Sequence, residues 1–234
     1  MFGKYEVRNK LLIKKDMLEI NISRIAENVF KYYRKYGDNR LSKKIVVKEV
    51  NLGIYPLPPL NQKYFISNTI YLRLKSTVTL SPKEKATVYF KAPIDIGVVL
   101  YKDNVNTIID RVTLTREKYA IYGSIENGLI CRFYITDVYH EEPETTMGEA
   151  VVKVEIDNVS NYFIELSKIV IPVAGINIFY KGERPHYGLF RVHIESPDSI
   201  SIRYVKEVEI PGFYRTPITV GQFKEHLKME WGVS

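Results

Sequence analysis

From residue 64 to residue 208, apolar and polar side chains alternate with a period of two, and that pattern limits the chain to sheets. Ile70, Leu72 and Leu74 alternate with Tyr71, Arg73 and Lys75, and the runs 86–91, 94–101 and 105–116 repeat the scheme. A strand points successive side chains to opposite faces, so each run buries one face and wets the other. Turn formers separate the runs at Ser81-Pro82-Lys83-Glu84, Lys102-Asp103-Asn104 and Asp157-Asn158. Strands resume over 150–156, 162–166, 168–173, 176–181, 187–195 and 200–208. Many short strands with regular turns predict an all-β protein with two β-sandwich-like halves.

Three places need separate arguments. Residues 137–149, with Glu141, Glu142, Pro143 and Glu144, offer little to bury and form the best boundary. They predict an N-terminal β domain over 1–139, its first segment basic, and a C-terminal β-sandwich-like domain over 148–234; a single large β domain fits the same pattern. Over 219–231, Phe223, Leu227 and Trp231 share a helical face opposite Lys224, Glu225 and Lys228, so a C-terminal helix is expected, with Thr219 as its N-cap and Gly232 as its stop. Residues 24–36 carry Ile25, Val29, Tyr32 and Tyr36 at helical spacing, yet they are rich in β-favouring tyrosine, and the balance leans to strand.

Asn127-Gly128, between two alternating runs, is the strongest short-range hairpin signal in the chain. A two-residue turn there sets Glu126 against Leu129, Ser124 against Cys131, Tyr122 against Phe133 and Gly123 against Arg132. Leu129, Cys131, Phe133 and Ile135 then form one inward row, and Cys131 is expected to be buried and inert.

At 234 residues the chain is long enough to hold a core without disulfides, and its one cysteine permits no intrachain bridge. That fits a reducing compartment. The start of the chain is charged where a signal peptide would be apolar, and the longest apolar run, 169–180, is broken by Pro172, Gly175 and Asn177. A cytoplasmic location and no membrane span are expected. Abundant Lys, Ile, Tyr and Glu, with only two Gln, point to a thermophile.

Several strings, in this order, carry a resemblance that spans nearly the whole chain. They are Gly53-Ile54-Tyr55-Pro56-Leu57-Pro58-Pro59, Lys91-Ala92-Pro93-Ile94-Asp95-Ile96-Gly97-Val98, Lys118-Tyr119-Ala120-Ile121-Tyr122-Gly123, Glu126-Asn127-Gly128, Gly148-Glu149-Ala150-Val151 and Met229-Glu230-Trp231-Gly232. The chain resembles the archaeal family of domain of unknown function four hundred thirty-two. The resemblance implies an archaeal source, and it brings no activity, cofactor or catalytic residue.

Charge is the feature that speaks most to function. Residues 1–50 hold 13 Lys and Arg against 6 Asp and Glu, while the remainder balances at 21 against 21. The whole excess of +7 therefore lies in the first 50 residues. Within them, Lys31, Tyr33, Arg34 and Lys35, followed by Arg40, Lys43 and Lys44, interleave cations with an aromatic, as an anion-binding face would. On a strand, Tyr33 would project beside Lys31 and Lys35, and Tyr32 beside Arg34 and Tyr36.

A second candidate is a cleft of Asp95, Tyr122, Glu126 and Arg132. Asp95 sits in an apolar strand two residues before Gly97, and a strand glycine often marks close approach of a ligand. No G-x-S-x-G elbow, H-E-x-x-H or P-loop accompanies it. His186 and His193 are seven apart, on opposite faces of a strand, and cannot share a metal there. No metal or cofactor is expected. The leading expectation is a non-enzymatic binding or assembly module with a protein partner or a second copy. The alternatives are a nucleic-acid-binding protein using the basic N-terminal region, and an enzyme with a cleft near Asp95.

Overall fold

A computed structural model describes residues 1–60, 67–102, 105–206, 209–220 and 226–229. These residues form nineteen strands and no helix. In chain order they are β1 (Gly3–Val7), β2 (Lys10–Lys15), β3 (Leu18–Ala26), β4 (Val29–Tyr36), β5 (Asn39–Val46), β6 (Val50–Leu57), β7 (Thr69–Leu80), β8 (Lys85–Pro93), β9 (Asp95–Lys102) and β10 (Val105–Thr113). There follow β11 (Tyr119–Tyr122), β12 (Leu129–Thr136), β13 (Glu149–Asn158), β14 (Ile164–Pro172), β15 (Phe179–Lys181), β16 (Arg184–Ser196), β17 (Ser199–Tyr204), β18 (Tyr214–Arg215) and β19 (His226–Met229).

The strands gather into two compact units. The first comprises Met1–Tyr55 and Ile96–Val112, the second Pro56–Asp95 and Thr113–Ser234. The acidic stretch 137–149 lies inside the second unit. The first unit is built on two four-stranded sheets, in the orders β1-β6-β9-β10 and β2-β3-β4-β5. The second sheet of this pair is a meander of three antiparallel hairpins. Its inward face carries Ile20, Ile22, Phe30 and Tyr32, all fully buried. Residues 24–36 are thus the end of β3, a turn and β4, in line with the lean to strand.

Arg34 shares that inward face. Its Nε lies 3.0 Å from Asp110 Oδ2 on β10, and the Tyr32 hydroxyl donates to the same oxygen at 2.7 Å. Arg34 also donates to Asn39 Oδ1 at 2.9 Å. Burial first, and Asp110 second, push the Tyr32 hydroxyl pKa well up, so the phenol stays a donor at every working pH.

The second unit pairs β11-β12-β7-β14 in one sheet and β18-β15-β16-β13-β8, extended by β17 and β19, in another. Phe90, Ala92, Val152, Val154 and Phe190 on one sheet, and Ile70, Leu72, Ile169 and Ile171 on the other, are fully buried. Thr136 Oγ1 accepts from the Lys91 amide and the Tyr134 hydroxyl donates to Glu149.

Two expectations are corrected. The β11–β12 register pairs Tyr119 with Arg132, Ala120 with Cys131, Ile121 with Ile130 and Tyr122 with Leu129. Residues 123–128 form a longer loop in place of a two-residue turn, because the Gly128 amide donates to the Ser124 carbonyl at 2.7 Å and the Asn127 amide to Ser124 Oγ at 3.2 Å. Ala120, not Ser124, therefore faces Cys131. Cys131 is fully buried as expected, but Ile135 on the same row is 46% exposed, and Arg132 and Thr136, on the opposite face of the strand, are buried. The expected C-terminal helix is likewise not seen. His226–Met229 is a strand antiparallel to β17, with Leu227 opposite Ile202. The string His-Leu-Lys-Met also alternates with period two, and β17 presents unpaired backbone groups for it to meet. The remainder of the expected helix, 221–225 and 230–231, lies outside the described residues.

Candidate nucleic-acid interface

The outward face of β2–β5 is a grid of three rows across four strands, set by the hairpin registers. One row reads Lys10, Ser23, Lys31, Lys44. The central row reads Leu12, Asn21, Tyr33, Ser42. The third reads Lys14, Glu19, Lys35, Arg40. Residues two apart on a strand are roughly 6.6–6.8 Å apart, so the two cationic rows run about 13 Å from each other with the central row between them.

Six cations and one carboxylate occupy this face. Glu19 is taken by Lys14 at 3.3 Å. Lys10, Lys31, Lys35, Arg40 and Lys44 have no ion-pair partner among the described residues. Lys31 stands directly opposite Lys44, and Lys35 directly opposite Arg40. Like charges directly opposed across strands destabilise a sheet, and an anion laid over them offsets the repulsion. In the middle, Tyr33 is half-buried with its neighbours Asn21 and Ser42 beside it across the strands. Asn21 Oδ1 is buried and has no hydrogen-bond partner among the described residues. The arrangement offers a ring to stack on, a polar edge next to it and cations on either side.

Of the residues singled out from the sequence, Lys31, Tyr33, Lys35 and Lys44 meet on this face. Arg34 and Lys43 do not: alternation turns both to the inward side, where Arg34 pairs with Asp110 and the Lys43 ammonium donates to the Ile109 carbonyl. Arg40, from the same basic string, joins the outward group opposite Lys35. Lys10 and Lys14 were missed. Their signal was in the sequence, as Lys10-x-Leu12-x-Lys14, but only the registers bring that string into line with β4.

The second candidate disperses. Asp95 is 2% exposed at the start of β9, and Glu126 is exposed in the 123–128 loop. Tyr122 shares the face of Leu129 and Cys131, whereas Arg132 shares that of Tyr119, so the two project from opposite sides of one sheet. Tyr122 packs edge-to-face on Tyr71 with the Lys168 ammonium 6.0 Å from its ring centre, and burial raises its hydroxyl pKa to about 12. Arg132 donates through Nη2 to Thr115, and its Nη1 lies 3.9 Å from Glu117. Among the described residues no three His, Cys, Asp or Glu side chains gather as a metal would require, and no helix is long and apolar enough to cross a membrane.

Residues 1–229 match the family described as protein of unknown function (DUF432). The chain belongs to that family. The match runs from β1 through β19, so the basic grid and both compact units fall inside it. No curated protein and no solved structure matches the chain.

Proposed function

We propose that the protein is a non-enzymatic binding module whose β2–β5 face takes single-stranded nucleic acid. The observation that carries this reading is the double opposition of like charges, Lys31 against Lys44 and Lys35 against Arg40, on either side of Tyr33. A sheet that served only to cover a core would gain by placing a carboxylate in one member of each pair. A strand laid along the central row meets a stacking ring at Tyr33 and cations flanking its phosphates, and base–aromatic stacking is sequence-tolerant. The single buried thiol fits a reducing cytosol, where we place the protein.

The test is anisotropy of a labelled single-stranded oligonucleotide with the full chain across a salt series. Affinity is expected to fall steeply with salt, by about 0.7 in log–log slope for each neutralised phosphate. Combining Lys31→Ala, Lys35→Ala and Lys44→Ala reduces that slope by about 2. Tyr33→Ala weakens binding by roughly 1–3 kcal/mol and leaves the slope alone. No binding at low salt, or binding indifferent to the triple substitution, would overturn the proposal and return a protein partner or a second copy as the occupant.

A further inference from the structure

The second unit carries a concavity of about 750 Å³ that plays no part in the proposal above. It lies on the polar face of the sheet formed by β8, β13, β16 and β17. Its charges are ordered by register. Thr87, Glu155, Arg191 and Arg203 form one row, each directly opposite the next. In the neighbouring row Lys85 stands opposite Asp157.

Each of the two acids here is already neutralised. Asp157 is met by Lys85 at 3.2 Å and Glu155 by Arg191 Nε at 2.9 Å. Arg203 is exposed and has no partner among the described residues. It faces the guanidinium-bearing Arg191 across β16 and β17, and Ser201, two residues along the same strand, sits on the same face. On its other side β17 pairs with β19, with His226 opposite Arg203 and Lys228 opposite Ser201 in register.

We infer that this concavity binds a small molecule through an oxyanion, a phosphate or carboxylate held between Arg203 and the free edge of Arg191. Guanidinium forks match both groups bidentately, and charge-assisted hydrogen bonds of this kind are the strong ones. Arg191 is half committed to Glu155, so Arg203 is the primary anchor and Glu155 is a brake. The volume lies in the range of small-molecule sites, which leaves room for a body beyond the anion itself.

Arginine side-chain Nε–Hε resonances of the labelled full chain, titrated with inorganic phosphate and in parallel with acetate, test the site. Saturable shifts are expected at two arginines, assigned through Arg191→Lys and Arg203→Gln. Arg203→Gln weakens the phosphate effect about tenfold, the loss of one charge-assisted contact. Glu155→Gln frees Arg191 and tightens binding. Whichever anion saturates at lower concentration identifies the group. The triple substitution at Lys31, Lys35 and Lys44 leaves the phosphate response unchanged, so this site and the basic grid fail separately. All the altered side chains are at least partly exposed, and unchanged circular dichroism checks the fold. Linear, unsaturated shifts with both anions, or an Arg203→Gln protein that binds phosphate as well as the parent, would overturn the inference.

Discussion

Cys131 and His186 are both buried titratable groups whose neighbours decide their chemistry. Thr69 donates to the Cys131 sulfur at 3.1 Å, and the thiol points at the Leu129 carbonyl at 3.4 Å. Burial pushes the thiol pKa up, and the Thr69 bond offsets only part of that. Native protein should resist a chromogenic thiol reagent and label at once in denaturant; fast labelling of the folded chain would contradict the burial. Cys131→Ser should cost about 1 kcal/mol, limited because Thr69 can satisfy the new hydroxyl. His186 follows the opposite chemistry. Three residues of β16, His186 to Gly188, span what two residues of β13 oppose, and Gly188 takes a φ of +89° to make that bulge. The bulge turns the imidazole inward, where Nδ1 accepts the Gly188 amide at 2.7 Å. Burial, then the charges of Lys153 and Arg184, lower its pKa from 6.5 to about 4. The folded value lies below the unfolded one, so the unfolded chain binds the proton preferentially between those limits. Stability from this group is present above about pH 6.5 and is lost as pH falls toward 4, on the order of 3 kcal/mol in full. Denaturant midpoints at pH 7 and pH 5 should differ in the parent and converge in His186→Asn, whose amide oxygen can still accept from Gly188.

Within elements, period-two alternation was a sound guide wherever one face is apolar and the other polar, as on β7, β8 and β13. It failed on β2, where Lys10-Leu11-Leu12-Ile13-Lys14 hides its alternation because Leu12 sits in the outward grid with the lysines. Arg34 and Lys43 were grouped with the outward cations by composition, although parity sends them to the core side. Asn127-Gly128 reads as a two-residue turn because both residues tolerate positive φ, and the hydrogen bonds from residues 127 and 128 back to Ser124 are not visible in a dipeptide. The resulting four-residue slip is even, so it kept each side chain on its face and changed only the cross-strand partners, Ala120 in place of Ser124 opposite Cys131. The link between β4 and β10 makes a sharper test of elements than either strand alone. Asp110 accepts from Arg34 and Tyr32 together, so Asp110→Ala strands a buried guanidinium and should destabilise the fold by about 3–5 kcal/mol. Asp110→Asn retains one acceptor and should cost less. A chemical denaturation series that found the two variants equal to the parent would refute the pairing.

For the molecule as a whole, composition suggested a division at 137–149, a stretch rich in carboxylates. Those carboxylates have local partners in the second unit: Glu142 meets Arg184 at 3.1 Å and Glu149 accepts from the Thr146 hydroxyl at 2.7 Å. The grouping into units depends instead on which distant strands pair, as in the order β1-β6-β9-β10, and no local pattern encodes that. The discontinuity of the first unit has a consequence for how the chain is made. On a ribosome, residues emerge in order, and domains fold as their last strands become available. Residues 1–55 appear first, yet Asp110, the counter-charge to their buried arginine, follows only after β7 and β8 of the other unit have been synthesised. A chain stalled once residues 1–57 have cleared the exit tunnel would present Arg34 uncompensated; one stalled once residue 112 has cleared it would present a unit able to close.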